Sequence, residues 1–174
     1  MKTLVISSHP NLEASTVNRA WKNRLSQEKD ITVHDLYEAY PDFKIDVEKE
    51  QELLLKHDRI IFQFPFYWYS SPAILKEWQD VVLTYGWAYG AKGTKLHGKE
   101  FAIATSTGGP REAYQAGGYN KYSMNELLKP FEAMANLTGM KILPAFLAQG
   151  VRTMSPEQIK ESADQLAAYL TAAR

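Results

Sequence analysis

Apolar positions along the chain change period several times, and each change marks an element. Residues 3–7 (TLVIS) form a short aliphatic run without polar alternation, the pattern of a strand buried on both faces. Residues 31–37 (ITVHDLY) alternate, whereas 59–64 (RIIFQF) and 100–105 (EFAIAT) return to continuous apolar runs. Residues 140–149 (MKILPAFLAQ) supply a fifth strand. Helical spacing fills the intervals at 15–25, 47–56 and 72–85, the last placing Ile74, Leu75, Trp78, Val81, Val82 and Tyr85 on one stripe. Ser71 can cap that helix, and Pro72 sits where a missing N–H costs nothing. SMNE from Ser123 and SPEQ from Ser155 are capping boxes that open two further helices. Pro130 is expected to kink the first; the second presents Ile159, Ala163, Leu166, Ala167 and Leu170.

Five strand–helix alternations imply an α/β, flavodoxin-like three-layer sandwich: a five-stranded parallel sheet covered on both faces. Right-handed crossovers favour the strand order 2-1-3-4-5, with residues 1–174 forming a single domain. No repeat, linker or low-complexity tract interrupts it.

Composition narrows the function. Twenty basic and twenty acidic side chains cancel, leaving no electrostatic footprint for nucleic acid. With no cysteine there are no disulfides, thiolate metal sites or thiol chemistry, which suits a reducing cytoplasm. No metal-ligand cluster is expected, nor a membrane span or signal peptide.

In the expected topology a ligand binds beyond the carboxyl ends of the strands, at the switch between strands one and three. Three loops converge there. The first carries His9 and runs into a helix start with Ser15, Thr16 and Asn18, donors suited to a phosphate or to a plain helix cap. The second carries Phe66, Tyr67, Trp68 and Tyr69, four aromatics that cannot all point inward from one turn. The third carries Gly108 and Gly109, where backbone can approach a ligand closely, and Tyr114 five residues on. Neither G-x-G-x-x-G nor G-x-x-x-x-G-K-[ST] occurs, so no standard nucleotide motif applies. A flat ring system bearing a phosphate fits all three loops: flavin mononucleotide, FMN, or the inner half of FAD.

FQFP at 62–65, Trp68, PAILK with Trp78, AYG at 88–90, TGG at 107–109 and Tyr114 together resemble the NAD(P)H:quinone oxidoreductases of the DT-diaphorase type. In length the chain is similar to short bacterial members, among them the ancillary oxidoreductases of glutathione-gated potassium efflux systems. The resemblance implies flavin contacts from His9, Ser15, Thr16, Val17, Asn18, Pro65, Phe66, Tyr67, Trp68, Thr105, Ser106, Thr107, Gly108, Gly109 and Tyr114. It implies a cytoplasmic homodimer with a shared active site, Tyr89 reaching across and Trp68 meeting the substrate. NAD(P)H is the implied donor and a quinone the acceptor; a membrane transporter is a second implied partner, placing the protein at the inner membrane face. Gly108, Gly109 and Tyr114 are expected to stabilise charge developing on the flavin. Asn120 stands where the long enzymes carry a histidine, and an amide there can orient Tyr114. Arg111 and Lys121 are candidates for the NADPH phosphate. A flavodoxin-type electron carrier would share the fold but is usually strongly acidic, unlike this neutral chain.

Overall fold

A computed structural model describes residues 1–172. Its parallel sheet is built from β1 (Thr3–Ser7), β2 (Ile31–Asp35), β3 (Arg59–Pro65), β4 (Glu100–Thr107), β5 (Lys141–Ile142) and β6 (Phe146–Gln149). The order is β2-β1-β3-β4-β5, and β6 pairs with the same edge of β4 as β5. The anticipated fifth strand is therefore present but broken. Ile142 faces Phe101, whereas Phe146 faces Ala104, so four residues on this strand span three on β4. Pro144 lies in that interval and has no N–H for the ladder, which confines it to such a bulge at a sheet edge.

Residues alternate faces along each strand, and so divide the core. Leu4, Ile6, Ile60, Phe62, Phe64, Phe101 and Ile103 pack on one side against α3 (Val47–Leu55), α4 (Ala73–Val82), α5 (Met124–Leu127) and α6 (Lys129–Leu137). Val5, Ile61, Ala102 and Ala104 face α1 (Val17–Leu25) and α7 (Pro156–Thr171). The alanines of β4 leave room for Trp21, which is fully buried and donates its indole N–H to Ser162 Oγ at 3.1 Å, tying α1 to α7.

Several boundaries differ from the sequence expectation. β2 stops at Asp35, whose side chain accepts the N–H groups of Tyr37 and Glu38 and starts the short helix α2 (Leu36–Ala39). α4 ends at Val82, so Tyr85 leaves the stripe and is 74% exposed. Pro72, not Ser71, takes the capping position of α4, without a side-chain hydrogen bond. Around Pro130 the helix divides rather than kinks: α5 closes at Leu127 and Pro130 lies in the first turn of α6. Both capping boxes, at Ser123 and Ser155, are formed.

Candidate functional site

The carboxyl ends of β1, β3, β4 and β6 open on one cavity of about 490 Å³, at the switch between β1 and β3. His9, Ser15, Thr16, Val17, Asn18, Pro65, Phe66, Tyr67, Trp68, Ser106 and Gly108 line it, so the three loops converge as the sequence predicts. Val151 and Arg152, which follow β6, also line the cavity and were not anticipated. The general rule for strand ends was the available signal, because "GVRT" directly follows the last strand.

Each loop has a physical reason for its shape. α1 begins at Val17, two residues later than the expected start at Ser15, and Ser15 Oγ instead accepts the N–H of Asn18 at 3.2 Å. The earlier first-turn donors of Thr16 and Val17 lack intrahelical acceptors, as at any helix start. Asn18, buried, donates Nδ2 to Ser106 Oγ at 2.9 Å and so joins α1 to β4. Its Oδ1 has no partner among the described residues, nor do the buried Ser7 and Ser8 hydroxyls and Gln63 Oε1 nearby in the strand ends.

The aromatic loop is a tight hairpin. Tyr67 and Ser70 exchange both backbone hydrogen bonds, at 3.0 and 2.9 Å, leaving Trp68 and Tyr69 as a two-residue tip. Both have positive φ, 47° and 61°, a conformation usually given to Asn-Gly. Trp68 is 93% exposed. Phe66 is half-buried and meets the Tyr114 ring edge-on at 6.1 Å.

In the third loop the Gly109 carbonyl accepts from Thr107 Oγ1 and Gly150 N–H, both at 2.8 Å, which fixes the turn. A Cβ on Gly108 would lie 2.9 Å from the Arg152 guanidinium; on Gly109 it would lie 3.2 Å from the Tyr114 ring. Glycine at both positions thus lets protein side chains close onto the backbone: Arg152 at Gly108, and the Tyr114 ring together with the Tyr119 hydroxyl, 2.5 Å from such a Cβ, at Gly109. Burial pushes the Tyr114 phenol above its ordinary pKa, while the Thr107 and Asn120 side chains pull it back in part.

His9 accepts the Asn11 N–H at Nδ1, at 3.1 Å, so its neutral ring carries the proton on Nε2. Burial depresses its pKa, outweighing the attraction of Asp35 and the bond from Asn11. A neutral Nε2–H donor at the cavity wall results.

Some predicted residues lie elsewhere. Thr105 is fully buried, and its hydroxyl donates to Phe64 O at 2.8 Å, a strand-to-strand tie behind the cavity wall. Thr107, Gly109, Tyr114 and Asn120 stand behind or beside the lining rather than in it. Tyr89 borders a separate groove of about 420 Å³ between α4 and α6, with Ser70, Phe131, Met134 and Leu137.

The cavity suits a flavin phosphate. First-turn amides and Ser15 offer phosphate donors, Asn18 Oδ1 is an unpaired acceptor for a sugar-alcohol hydroxyl, and Gly108 brings backbone into the cavity wall. A doubly wound sheet with its ligand cavity at the switch point defines a flavodoxin-like protein. The chain belongs to the flavodoxin-like fold family, whose model matches residues 1–170. It is 62% identical over 172 residues to the uncharacterized NAD(P)H oxidoreductase YrkL of Bacillus subtilis, covering 99% of both chains. It is 43% identical over 169 residues to the glutathione-regulated potassium-efflux ancillary protein KefG of Yersinia enterocolitica, covering 97% of this chain and 92% of the other. General stress protein 14 of Treponema denticola, crystallised in complex with FMN, superposes with a TM-score of 0.94 at 43% identity over 98% of each chain.

Proposed function

We propose that the protein is an FMN-dependent NAD(P)H oxidoreductase. It moves two electrons as a hydride from NAD(P)H, and then to a quinone-type acceptor in a ping-pong cycle. The carrying observation is the junction of the first turn of α1, the aromatic hairpin and Gly108 around one cavity, with Asn18 Oδ1 unpaired in its wall. The similarity to an FMN-bound protein and to a named NAD(P)H oxidoreductase supports the same reading.

In this reading the amides of Thr16 and Val17, Ser15 and the His9 Nε2–H hold the phosphate, and Asn18 and Ser106 hold the sugar alcohol. Bound flavin supplies the hydride chemistry, and the chain supplies placement and charge. Backbone at Gly108, in the cavity wall, would meet the polar ring edge, with Gly109 and Tyr114 supporting that edge from beside the lining; a preorganised donor of that kind can lower the barrier by about 3 kcal/mol. Trp68 offers a flat apolar face to nicotinamide or quinone. Tyr89, standing in its own groove beside the exposed Leu137, fits a homodimer in which that groove meets a second copy.

Mass and absorption spectrum of the cofactor released on denaturation, with NAD(P)H turnover on menadione, test the proposal. FMN and rapid turnover are expected. A colourless protein that takes up no FMN or FAD overturns it. The similarity to KefG favours a second role, docking on a potassium-efflux transporter at the inner membrane face; co-purification with such a transporter would identify it.

A further inference from the structure

Arg152 reaches the cavity on a turn that the loop after β4 holds in place. Gly150 has φ 72°, in the left-handed region, and opens one turn of 3₁₀ helix at Val151–Thr153. Its N–H donates to Gly109 O at 2.8 Å, and its carbonyl accepts from both N and Oγ1 of Thr153 at 3.1 Å. Arg152 Nε, Cζ and Nη2 all lie within 3.4 Å of the point a Gly108 Cβ would occupy, so the guanidinium rests against that residue's backbone. Both residues line the cavity. Among the described residues no carboxylate lines it, and the ion-paired arginines are Arg19, Arg24 and Arg59. His9 faces the same space as a neutral donor. Arg152 thus brings an uncompensated positive charge to the stretch of backbone that the flavin ring edge would meet.

We propose that Arg152 is the countercharge for hydride transfer, stabilising reduced flavin more than oxidised flavin. The inference rests on the proposed flavin site and names a charge within it. Hydride carries two electrons and one proton from NAD(P)H, which leaves as NAD(P)⁺. The oxidised ring is neutral, so one negative charge stays on it until a proton arrives from water. A fixed cation beside the polar ring edge favours that product without moving a proton itself. The FMN phosphate, by contrast, carries the same charge before and after the transfer. Any attraction between Arg152 and the phosphate therefore strengthens both redox states alike and cancels from their difference. The midpoint potential reports the ratio of the two affinities, and so isolates the ring contact. Arg152 is exposed, and solvent screening keeps the expected effect modest.

Equilibration of the FMN-loaded protein with a reference redox dye reads the potential in wild type, Arg152→Gln and Arg152→Lys. Arg152→Gln should lose about 10-fold more affinity for reduced than for oxidised FMN, which lowers the two-electron potential by about 30 mV. Arg152→Lys keeps the charge and should recover most of that drop. An unchanged potential in Arg152→Gln overturns the proposal, and weaker FMN binding in that variant would then assign Arg152 to the phosphate. A drop in Arg152→Lys equal to that in Arg152→Gln also overturns it, because the charge is then not the cause. If wild type takes up no flavin, the functional reading fails and the countercharge with it, an outcome distinct from bound flavin with an unmoved potential.

Discussion

Asn18 Nδ2 donates to Ser106 Oγ at 2.9 Å, which makes one amide both a clasp between α1 and β4 and part of the cavity wall. The two roles separate by magnitude. Asn18→Ala loses a single internal hydrogen bond, about 1 kcal/mol, or roughly 2–4 °C in melting temperature for a chain of this size. If Asn18 Oδ1 also receives a flavin hydroxyl, FMN affinity falls about 10-fold. Calorimetric melting of the flavin-free protein and FMN fluorescence titration measure each effect independently. Unchanged affinity would leave Asn18 a structural clasp.

The hairpin tip carries the opposite balance between stability and function. Trp68 is almost wholly exposed, so it gains little packing to offset its positive φ, which costs a side-chain-bearing residue about 1–2 kcal/mol. Asn tolerates that conformation. Trp68→Asn is therefore expected to raise the melting temperature by roughly 2–4 °C while lowering kcat/KM for NAD(P)H or menadione at least 10-fold. A variant that is more stable and equally active would show that the indole face meets no substrate.

Much of this arrangement was legible in sequence because each signal was local. Continuous apolar runs alternating with helical stripes prescribe a covered parallel sheet, and the strand-end rule then gathers His9, Trp68 and Gly108 from three distant loops. What was hidden depended on geometry that no short window carries. Asp35 reads as strand until its side chain is seen capping two amides. Thr105 shares a strand end with Ser106, but only the register shows that its hydroxyl serves Phe64. Arg152 enters the site because the bulge around Pro144 lets β6 continue along β4 and deliver the following turn beside Gly108.

That arginine makes its own prediction. Its guanidinium stands beside Gly108 at the cavity wall, and His9, the other basic side chain there, is held neutral by burial. An anionic ligand therefore meets its cation in Arg152. A charged hydrogen bond contributes about 1.5 kcal/mol at the lower, solvent-exposed end of the range, so Arg152→Gln should weaken FMN binding about 10-fold. The difference from wild type should shrink as salt rises from 50 to 500 mM, because exposed charges are screened. Arg152→Lys should restore binding only in part, a point charge lacking the planar fork. Equal affinity and equal salt dependence in Arg152→Gln would exclude the contact.

Beneath the hairpin, the orientation of α4 is set by one buried carboxylate. Glu50 is fully buried on α3 and accepts from His34 Nε2 at 2.8 Å, Tyr40 Oη at 2.6 Å and Trp78 Nε1 at 2.8 Å. Burial by itself would push this carboxyl up, but the donors, His34 first, outweigh it and hold its pKa below the ordinary 4.5. A group depressed in the folded state contributes stability above its unfolded pKa and loses that contribution as pH falls through the folded one. Glu50→Gln turns an N–H₂ toward these donors and leaves at least one unsatisfied, a cost of about 1–3 kcal/mol plus the lost charge–dipole attraction. At pH 7 the variant should melt roughly 5–10 °C lower. Below pH 4.5 wild type should lose stability faster than the variant, so that the gap narrows. Urea denaturation at pH 7, 5, 4 and 3 measures it; a gap constant across that range would show that Glu50 has the same pKa folded and unfolded, and a gap that widens toward pH 4 would show a carboxyl held neutral by burial.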